Sequence, residues 1–444
     1  MTTRPTISWS ELAGARVGVF GVGVEGRANV RRLLALGAEP VLVDDDPPSH
    51  PVEGLAVAGT AAGGLDELRR CEVVVKTPGL SRYRSDVASL VEAGVAVVGG
   101  LGLWMAEAPR ERVVCVTGTK GKSTTTAVCG HLLTGLGYRA VVGGNIGLPP
   151  WDPDTPSDAD YYVVETSSFQ ATDLPCSPPV VAVTSLAPDH LDWHGDAETY
   201  FTDKLSACHQ PGADLTVADG ENELLAARAG QLGPRVRWVV VGDPELDGAW
   251  VDELGLLGRH NRRNALVARA CLVGLGIPEA ADDAALAEAA RGFVGLGSRL
   301  QRIGSVDGVD FYDDSLATNV LPTVAALEAL PGRRTALLVG GFDRGVDYGP
   351  LAEALAERRE ATLVLTLPAN GPRIHEALTA GAPGVEVRDR PGLDEAVADG
   401  FTWAGPGGVV LLSPAAASFG GYRDYAARAE AFAAAARRCG ELTA

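Results

Sequence analysis

The sequence predicts an α/β protein of three domains, and three observations carry that reading. Short apolar runs of four to six residues alternate with Ala- and Leu-rich helical stretches along the chain. Glycine turns follow two of these runs, Gly21-Val22-Gly23-Val24-Glu25-Gly26 near the start and Gly118-Thr119-Lys120-Gly121-Lys122-Ser123-Thr124 further on. The 444 residues correspond to about three domains of roughly 150 residues each, and 46% hydrophobic content supplies their cores.

Residues 15–20 read as a buried strand, a helix spans 26–36, and a second strand over 40–43 ends in Asp44-Asp45-Asp46. This is a βαβ unit with G-x-G-x-x-G in place, where a phosphate meets a helix N-terminus. Taken alone, the pattern admits a dinucleotide, a nucleotide-sugar or a purely structural turn. The acidic cluster is placed to accept hydrogen bonds from a ribose or a uracil. A strand over 72–76 runs into Thr77-Pro78-Gly79-Leu80-Ser81, at the carboxyl end where ligands of parallel sheets gather. A strand over 95–98 closes the unit, and a boundary near Ala108-Pro109 gives a first domain of 1–109.

The second domain, 110–296, opens with the apolar run 113–116 and the second glycine turn. Glycines at 118 and 121 let backbone N–H groups turn toward phosphate oxygens, and the helix opening at about Ser123 adds its positive dipole end. Lys122 neutralises the outer phosphates, and Ser123 or Thr124 offers a hydroxyl to Mg²⁺. The spacing is a shortened G-x-x-G-K-[ST]. Strands over 139–143, 161–165 and 180–184 follow, and a helix covers 261–275. Glu165 ends a strand either as a Mg²⁺ carboxylate or as a capping or salt-bridging glutamate. His190, between Asp189 and Asp192, is either a polar loop residue or a group that ligates or orients. Lys204 reads from its pattern as a solvated helix lysine. The third domain, 297–444, has strands over 310–312, 335–339, 361–365 and 409–412 between Ala-rich helices, again α/β.

Seven cysteines without paired spacing indicate reduced thiols and a cytoplasmic setting. No apolar run reaches the length of a membrane span, and no secretory leader opens the chain. A formal charge of −19 is the wrong sign for a general nucleic-acid binder.

Beyond the second glycine turn, the chain carries Gly144-Asn145-Ile146-Gly147, Glu165-Thr166-Ser167-Ser168-Phe169-Gln170 and Asp189-His190-Leu191-Asp192. Gly258-Arg259-His260-Asn261-Arg262-Arg263-Asn264, Asp313-Asp314-Ser315-Leu316-Ala317-Thr318-Asn319 and Leu412-Ser413-Pro414-Ala415-Ala416-Ala417-Ser418-Phe419 follow in order. Together these resemble the Mur ligases of peptidoglycan synthesis, specifically the glutamate-adding branch, over the whole chain. The resemblance implies an ATP-dependent ligase acting on UDP-N-acetylmuramoyl-L-alanine and glutamate through an acyl phosphate. It implies that Gly118, Thr119, Lys120, Gly121, Lys122, Ser123 and Thr124 hold the ATP phosphates, with Asn261 and Asn264 on the adenine side. Arg299 and Asp314 would close over the nucleotide. Ser123 and Glu165 would serve one Mg²⁺ and His190 and Lys204 a second, Lys204 as a carbamate; Lys122, His190 and Lys204 would be the catalytic set. Gly23, Glu25, Asp44, Gly79 and Asn145 would meet the UDP-sugar.

Departures from the D-glutamate-adding pattern cluster in the expected amino-acid pocket. Leu316 stands where those enzymes usually carry a lysine, and Arg344 in Gly340-Gly341-Phe342-Asp343-Arg344-Gly345 stands near another, offering a bidentate fork instead of a point charge. Ser185 and Pro188 replace a usual asparagine and acidic residue. Thr318, Arg344, Ser418 and Tyr425 remain as a set able to grip both carboxylates of glutamate. These departures favour the L-glutamate-adding variant over the D-glutamate enzyme, and an L product implies a downstream epimerase. A nicotinamide-dependent oxidoreductase would leave the second glycine turn and Glu165 without work. A folate or cyanophycin-type ligase would leave the first domain without a ligand, and a non-catalytic scaffold would not need Lys122, Glu165, His190 and Lys204 intact.

Overall fold

The computed structural model describes residues 4–443. It contains three sheets flanked by helices. The first comprises β1 (Val17–Phe20), β2 (Val41–Asp44), β3 (Val57–Gly59), β4 (Val73–Lys76) and β5 (Ala96–Gly99), all parallel in the order β3-β2-β1-β4-β5. The second, also parallel, comprises β6 (Val113–Thr117), β7 (Ala140–Gly144), β8 (Tyr161–Glu165), β9 (Val180–Val183), β10 (Leu215–Asp219) and β11 (Arg235–Val239), ordered β11-β10-β9-β6-β8-β7. The third comprises β12 (Gln301–Val306), β13 (Val309–Asp313), β14 (Thr335–Val339), β15 (Thr362–Thr366), β16 (Glu386–Asp389) and β17 (Val409–Leu412), ordered β12-β13-β17-β14-β15-β16. There β12 runs antiparallel to β13, and the other pairs are parallel.

Parallel strands covered on both faces are near-continuous apolar runs, and β1, β4, β6, β9, β14 and β17 are buried at every residue, Lys76 at the end of β4 included. Each fully buried Val or Leu contributes about 1.5–3 kcal/mol relative to an exposed one. In the first βαβ unit, a Cβ on Gly26 would fall 2.1 Å from the Gly21 carbonyl oxygen, so only glycine lets the helix Val24–Ala35 approach the turn this closely. Among the described residues no helix is long and apolar enough to cross a membrane. All seven cysteines are free thiols, and six are buried.

The chain folds into two compact units, one reaching Gly255 and including Arg262–Phe293, the other comprising Leu256–Asn261 and Val294–Ala444. The first unit contains two sheets over one continuous core, in which Val19, Val75 and Trp104 belong with Val113, Tyr162 and Val183. Polar joints reinforce it. Trp151 donates its indole N–H to Asn29 at 2.8 Å, both residues being buried. Lys76, fully buried at the end of β4, pairs with Asp173 at 2.5 Å, and Arg82 donates to the same carboxylate at 2.7 Å. Lys76 and Arg82 hold the Asp173 carboxyl below its ordinary range against the opposing effect of burial. A buried pair of this kind adds little net stability, whereas removing one partner strands the other. Asp173→Ala is therefore expected to cost about 3–5 kcal/mol, read from urea denaturation.

Candidate active site

Strands β9, β6 and β8 are neighbours, so the segments leaving their carboxyl ends share one edge. These segments are stitched together. Thr184 Oγ1 donates to the Lys120 carbonyl at 2.6 Å, the Lys120 N–H donates to Ser185 Oγ at 2.8 Å, and the Thr119 N–H donates to the Ser185 carbonyl at 2.8 Å. Thr119 Oγ1 also meets the Tyr200 hydroxyl at 2.9 Å. Gly121 precedes the helix Lys122–Gly135 with φ +89°, and a Cβ there would fall 2.5 Å from Asn264 Oδ1. Ser123 and Thr124 lie in the first turn of that helix, both largely buried.

Three ammonium groups gather around this loop. Lys122 Nζ donates to the carbonyls of Gly118 at 3.0 Å and Thr119 at 3.3 Å, and Lys204 Nζ donates to the same Gly118 carbonyl at 3.0 Å. Lys120 pairs with Asp189 at 3.1 Å. Helix start, turned glycine backbone and clustered cations form a receptor for a polyanion. Lys204 is 2% exposed, far from the solvated lysine its pattern indicates. Burial first, then the positive charge of Lys122, pushes its ammonium well below the ordinary lysine range.

Glu165 is 1% exposed and ends β8. Its Oε1 accepts from Asn145 Nδ2 at 2.9 Å, and its Oε2 is buried with no hydrogen-bond partner. A buried, half-satisfied carboxylate beside a polyanion receptor suits a hard cation, whose other oxygens would come from a hydroxyl such as Ser123 and from phosphates. Among the described residues no three His, Cys, Asp or Glu side chains converge as a metal group, so protein carboxylates alone do not complete a cation site. His190 adopts φ +51° with its side chain half exposed, its ring edge-on to Phe169 at 5.0 Å and Nε2 3.9 Å from Asp189.

At the carboxyl edge of the first sheet, Gly23 caps the helix Val24–Ala35, and Asp44 accepts from the Val22 N–H at 2.7 Å, bracing the glycine turn. Glu25 accepts from Gln170 Nε2 at 2.8 Å, and burial raises its carboxyl to about 7. The Gly79 carbonyl accepts from the Trp193 indole at 3.2 Å, linking this edge to the loop that follows Asp189. The helix Arg259–Gly274 places Asn264 in the first unit, where its carbonyl accepts from Thr125 Oγ1 at 3.4 Å; Asn261 belongs to the second unit.

Within the second unit, β13, β17 and β14 are neighbours and bring their following loops together. The Phe342 N–H donates to the Ala417 carbonyl at 2.9 Å. The Arg344 guanidinium lies 5.5 Å from the Phe419 ring centroid, and Phe419 meets Phe342 edge-on. Ser418 is largely buried, the Thr318 N–H donates to the Leu316 carbonyl, and Tyr425 begins the helix Tyr425–Cys439 with its ring partly exposed. Asp314 accepts from the Leu300 N–H, next to Arg299, and from Ser413 Oγ; burial raises it to about 7. Sequence reasoning missed Arg428. It is 1% exposed, and its Nη2 donates to the Ser315 and Ala416 carbonyls at 2.7 and 3.1 Å, tying two of these loops. The available signal was an arginine on the apolar stripe with Phe432, Ala435 and Ala436.

Residues 116–237 match the Mur ligase middle domain and residues 298–416 match the Mur ligase glutamate ligase domain. A Micromonospora protein named UDP-N-acetylmuramoyl-L-alanine–L-glutamate ligase is 42% identical, the alignment covering 96% of this chain and 98% of that one. The chain belongs to the Mur ligase family. A Xanthomonas euvesicatoria protein of the same name is 39% identical to this Mur ligase over 96% of its chain and 95% of the relative. Among solved structures, UDP-N-acetylmuramate-alanine ligase from Thermotoga maritima superimposes with TM-score 0.58 at 19% identity, covering 96% of this chain and all of the other. Mycobacterium tuberculosis folylpolyglutamate synthase, complexed with ADP and AMPPCP, shares the fold at TM-score 0.53 and 16% identity over 78% of this chain and 95% of its own. This Mur ligase is an ATP-dependent, ADP-forming acid–amino-acid ligase of peptidoglycan synthesis.

Proposed function

We propose that this chain joins L-glutamate to UDP-N-acetylmuramoyl-L-alanine in the cytoplasm, using ATP and Mg²⁺. The observation that carries the reading is the near full-length likeness to ligases named for that reaction, the Micromonospora protein at 42% identity among them. Residues 1–109 would hold the UDP-sugar through Gly23, Glu25, Asp44 and Gly79, with Asn145 from the next domain. Residues 110–296 would hold ATP on the 118–124 loop and Asn264, and residues 297–444 would supply Arg299, Asp314 and the glutamate pocket; Asn261 would reach the adenine. The 42% identity over 96% of the chain to a ligase named for this reaction favours this reading over a folate-type ligase.

The substrate carboxylate attacks the γ-phosphorus, ADP departs, and an acyl phosphate remains. The glutamate amine then attacks the acyl carbon, loses a proton and expels phosphate. Lys122 and the helix start neutralise the phosphates as the two anions approach. Mg²⁺ held by Ser123 and Glu165, and a second ion at His190 and Lys204, would screen the remaining repulsion. Burial and the neighbouring charge of Lys122 favour the neutral amine of Lys204, the form that adds CO₂; carbamate formation would release a proton and turn the side chain into an oxygen donor.

The choice of isomer rests on Leu316 and on the Arg344 fork, which lies against Phe419. Thr318, Ser418 and Tyr425 would grip the remaining carboxylate oxygens. ADP release is expected to be at least about ten-fold faster with L-glutamate than with D-glutamate, which requires about 1.4 kcal/mol of discrimination. A preference for the D isomer would overturn the stereochemical reading and return the chain to the D-glutamate-adding branch. The L product would require an epimerase downstream before ordinary cross-linking.

A further inference from the structure

Beside the candidate cation residues in sequence lies a chain of hydrogen bonds that the reading above leaves without a role. His194 is buried, its side chain fully so. Its Nδ1 lies 2.6 Å from Asp203 Oδ2, and its Nε2 lies 3.0 Å from Ser168 Oγ. A carboxylate only accepts, so Nδ1 carries the proton. The Tyr83 hydroxyl donates to Asp203 as well, at 2.8 and 2.9 Å from its two oxygens. Phe169 stacks on the imidazole at 5.5 Å, Trp193 covers it at 4.4 Å, and Tyr200 meets it edge-on at 5.2 Å.

The order Ser168, His194, Asp203 reproduces a nucleophilic triad in connectivity. Its burial argues for a different role: Ser168 is 2% exposed, so no acyl group can reach its hydroxyl. What distinguishes the chain is where its two ends attach. Ser168 lies three residues after Glu165 and opens the helix Ser168–Ala171. Asp203 immediately precedes Lys204, in the helix Ala197–Leu205. The two helices pack together, Ser206 Oγ donating to the Ala171 carbonyl at 3.0 Å, and the imidazole adds a second bridge with one ring nitrogen on each.

We propose that His194 is a positioning residue that fixes the spacing between Glu165 and Lys204 through Ser168 and Asp203, and so sets the affinity for the divalent cation. The inference rests on the proposed cation roles of Glu165 and Lys204. Groups that orient metal ligands from behind typically govern affinity by about 10–100-fold.

The test is Mn²⁺ binding, followed by electron paramagnetic resonance in the presence of a non-hydrolysable ATP analogue, in wild type, Ser168→Ala, His194→Gln and His194→Ala. Ser168→Ala removes one hydroxyl from the bridge and keeps the measurement available if His194→Ala does not fold. The expected result is a Mn²⁺ dissociation constant raised about ten-fold or more in Ser168→Ala and His194→Ala, with His194→Gln intermediate. Activity should return toward wild type at saturating Mg²⁺, with KM for glutamate unchanged. Unaltered Mn²⁺ affinity in folded variants, or an equal loss of kcat at every Mg²⁺ concentration, would overturn the proposal. Wild-type protein that binds no Mn²⁺ would overturn it too. Wild type that binds Mn²⁺ with the analogue yet releases no ADP with glutamate would instead refute the proposed function and leave the comparison of variants readable.

Discussion

Lys122→Ala is expected to lose ADP-forming activity by about 10³-fold or more while melting at an unchanged temperature. The ammonium sits at the start of the helix Lys122–Gly135 and touches the loop through the Gly118 and Thr119 carbonyls, so its removal opens no core. What disappears is the positive charge proposed to face the outer phosphates. Arginine should not rescue, because a planar fork cannot reproduce a point charge inside a turn cut for a lysine. Initial rates of ADP release beside a thermal melt check this, and wild-type turnover would remove the phosphate role from the 118–124 loop.

Lys204→Ala should be nearly as inactive, for a different reason. If the side chain works as a carbamate, its loss removes an oxygen donor, and short-chain carboxylates added to the assay should recover part of the rate by occupying the vacated space. Lys204→Met keeps the buried volume and the packing above Tyr200, and should be equally inactive. Full activity in either variant without an additive would end the carbamate reading. A carboxylate that restores Lys204→Ala but not Lys204→Met would support it most directly, since only alanine leaves room.

The parts of the fold legible in the sequence are those whose chemistry is local. Strands β6, β8, β9, β14 and β17 are continuous apolar runs because both faces are covered, and the glycine turn after β6 lies within eight residues. Strand β3 is only three residues long. The edges β5 and β7 stay apolar and are legible, whereas β11, β12 and β16 escaped because these sheet edges carry charged side chains toward solvent. Arg235-Val236-Arg237-Trp238-Val239 and Glu386-Val387-Arg388-Asp389 present no continuous apolar run for that reason. Strand β10 was missed although it is interior, since Thr216 and Ala218 dilute its apolar run.

In the candidate site the illegible features are contacts between distant residues. Asn145 meets Glu165 across 20 residues, and Lys204 meets Gly118 across 86. No spacing rule foretells that a lysine in an amphipathic helix turns inward onto a loop carbonyl. The Arg428 tie between the Ser315 and Ala416 carbonyls spans 113 and 12 residues and was equally invisible.

The buried joint of Lys76, Arg82 and Asp173 bears on how freely the N-terminal module can be exchanged among relatives. Grafting a foreign module onto this chain would leave Asp173 facing whatever the donor carries at positions 76 and 82, and Trp151 facing whatever replaces Asn29. A chimaera cut near residue 109 therefore has to carry the recipient's Asn29, Lys76 and Arg82 into the donor, or the donor's equivalents of Trp151 and Asp173 into the recipient. The N-terminal module is thus inherited together with a seam, and the two should have diverged in step.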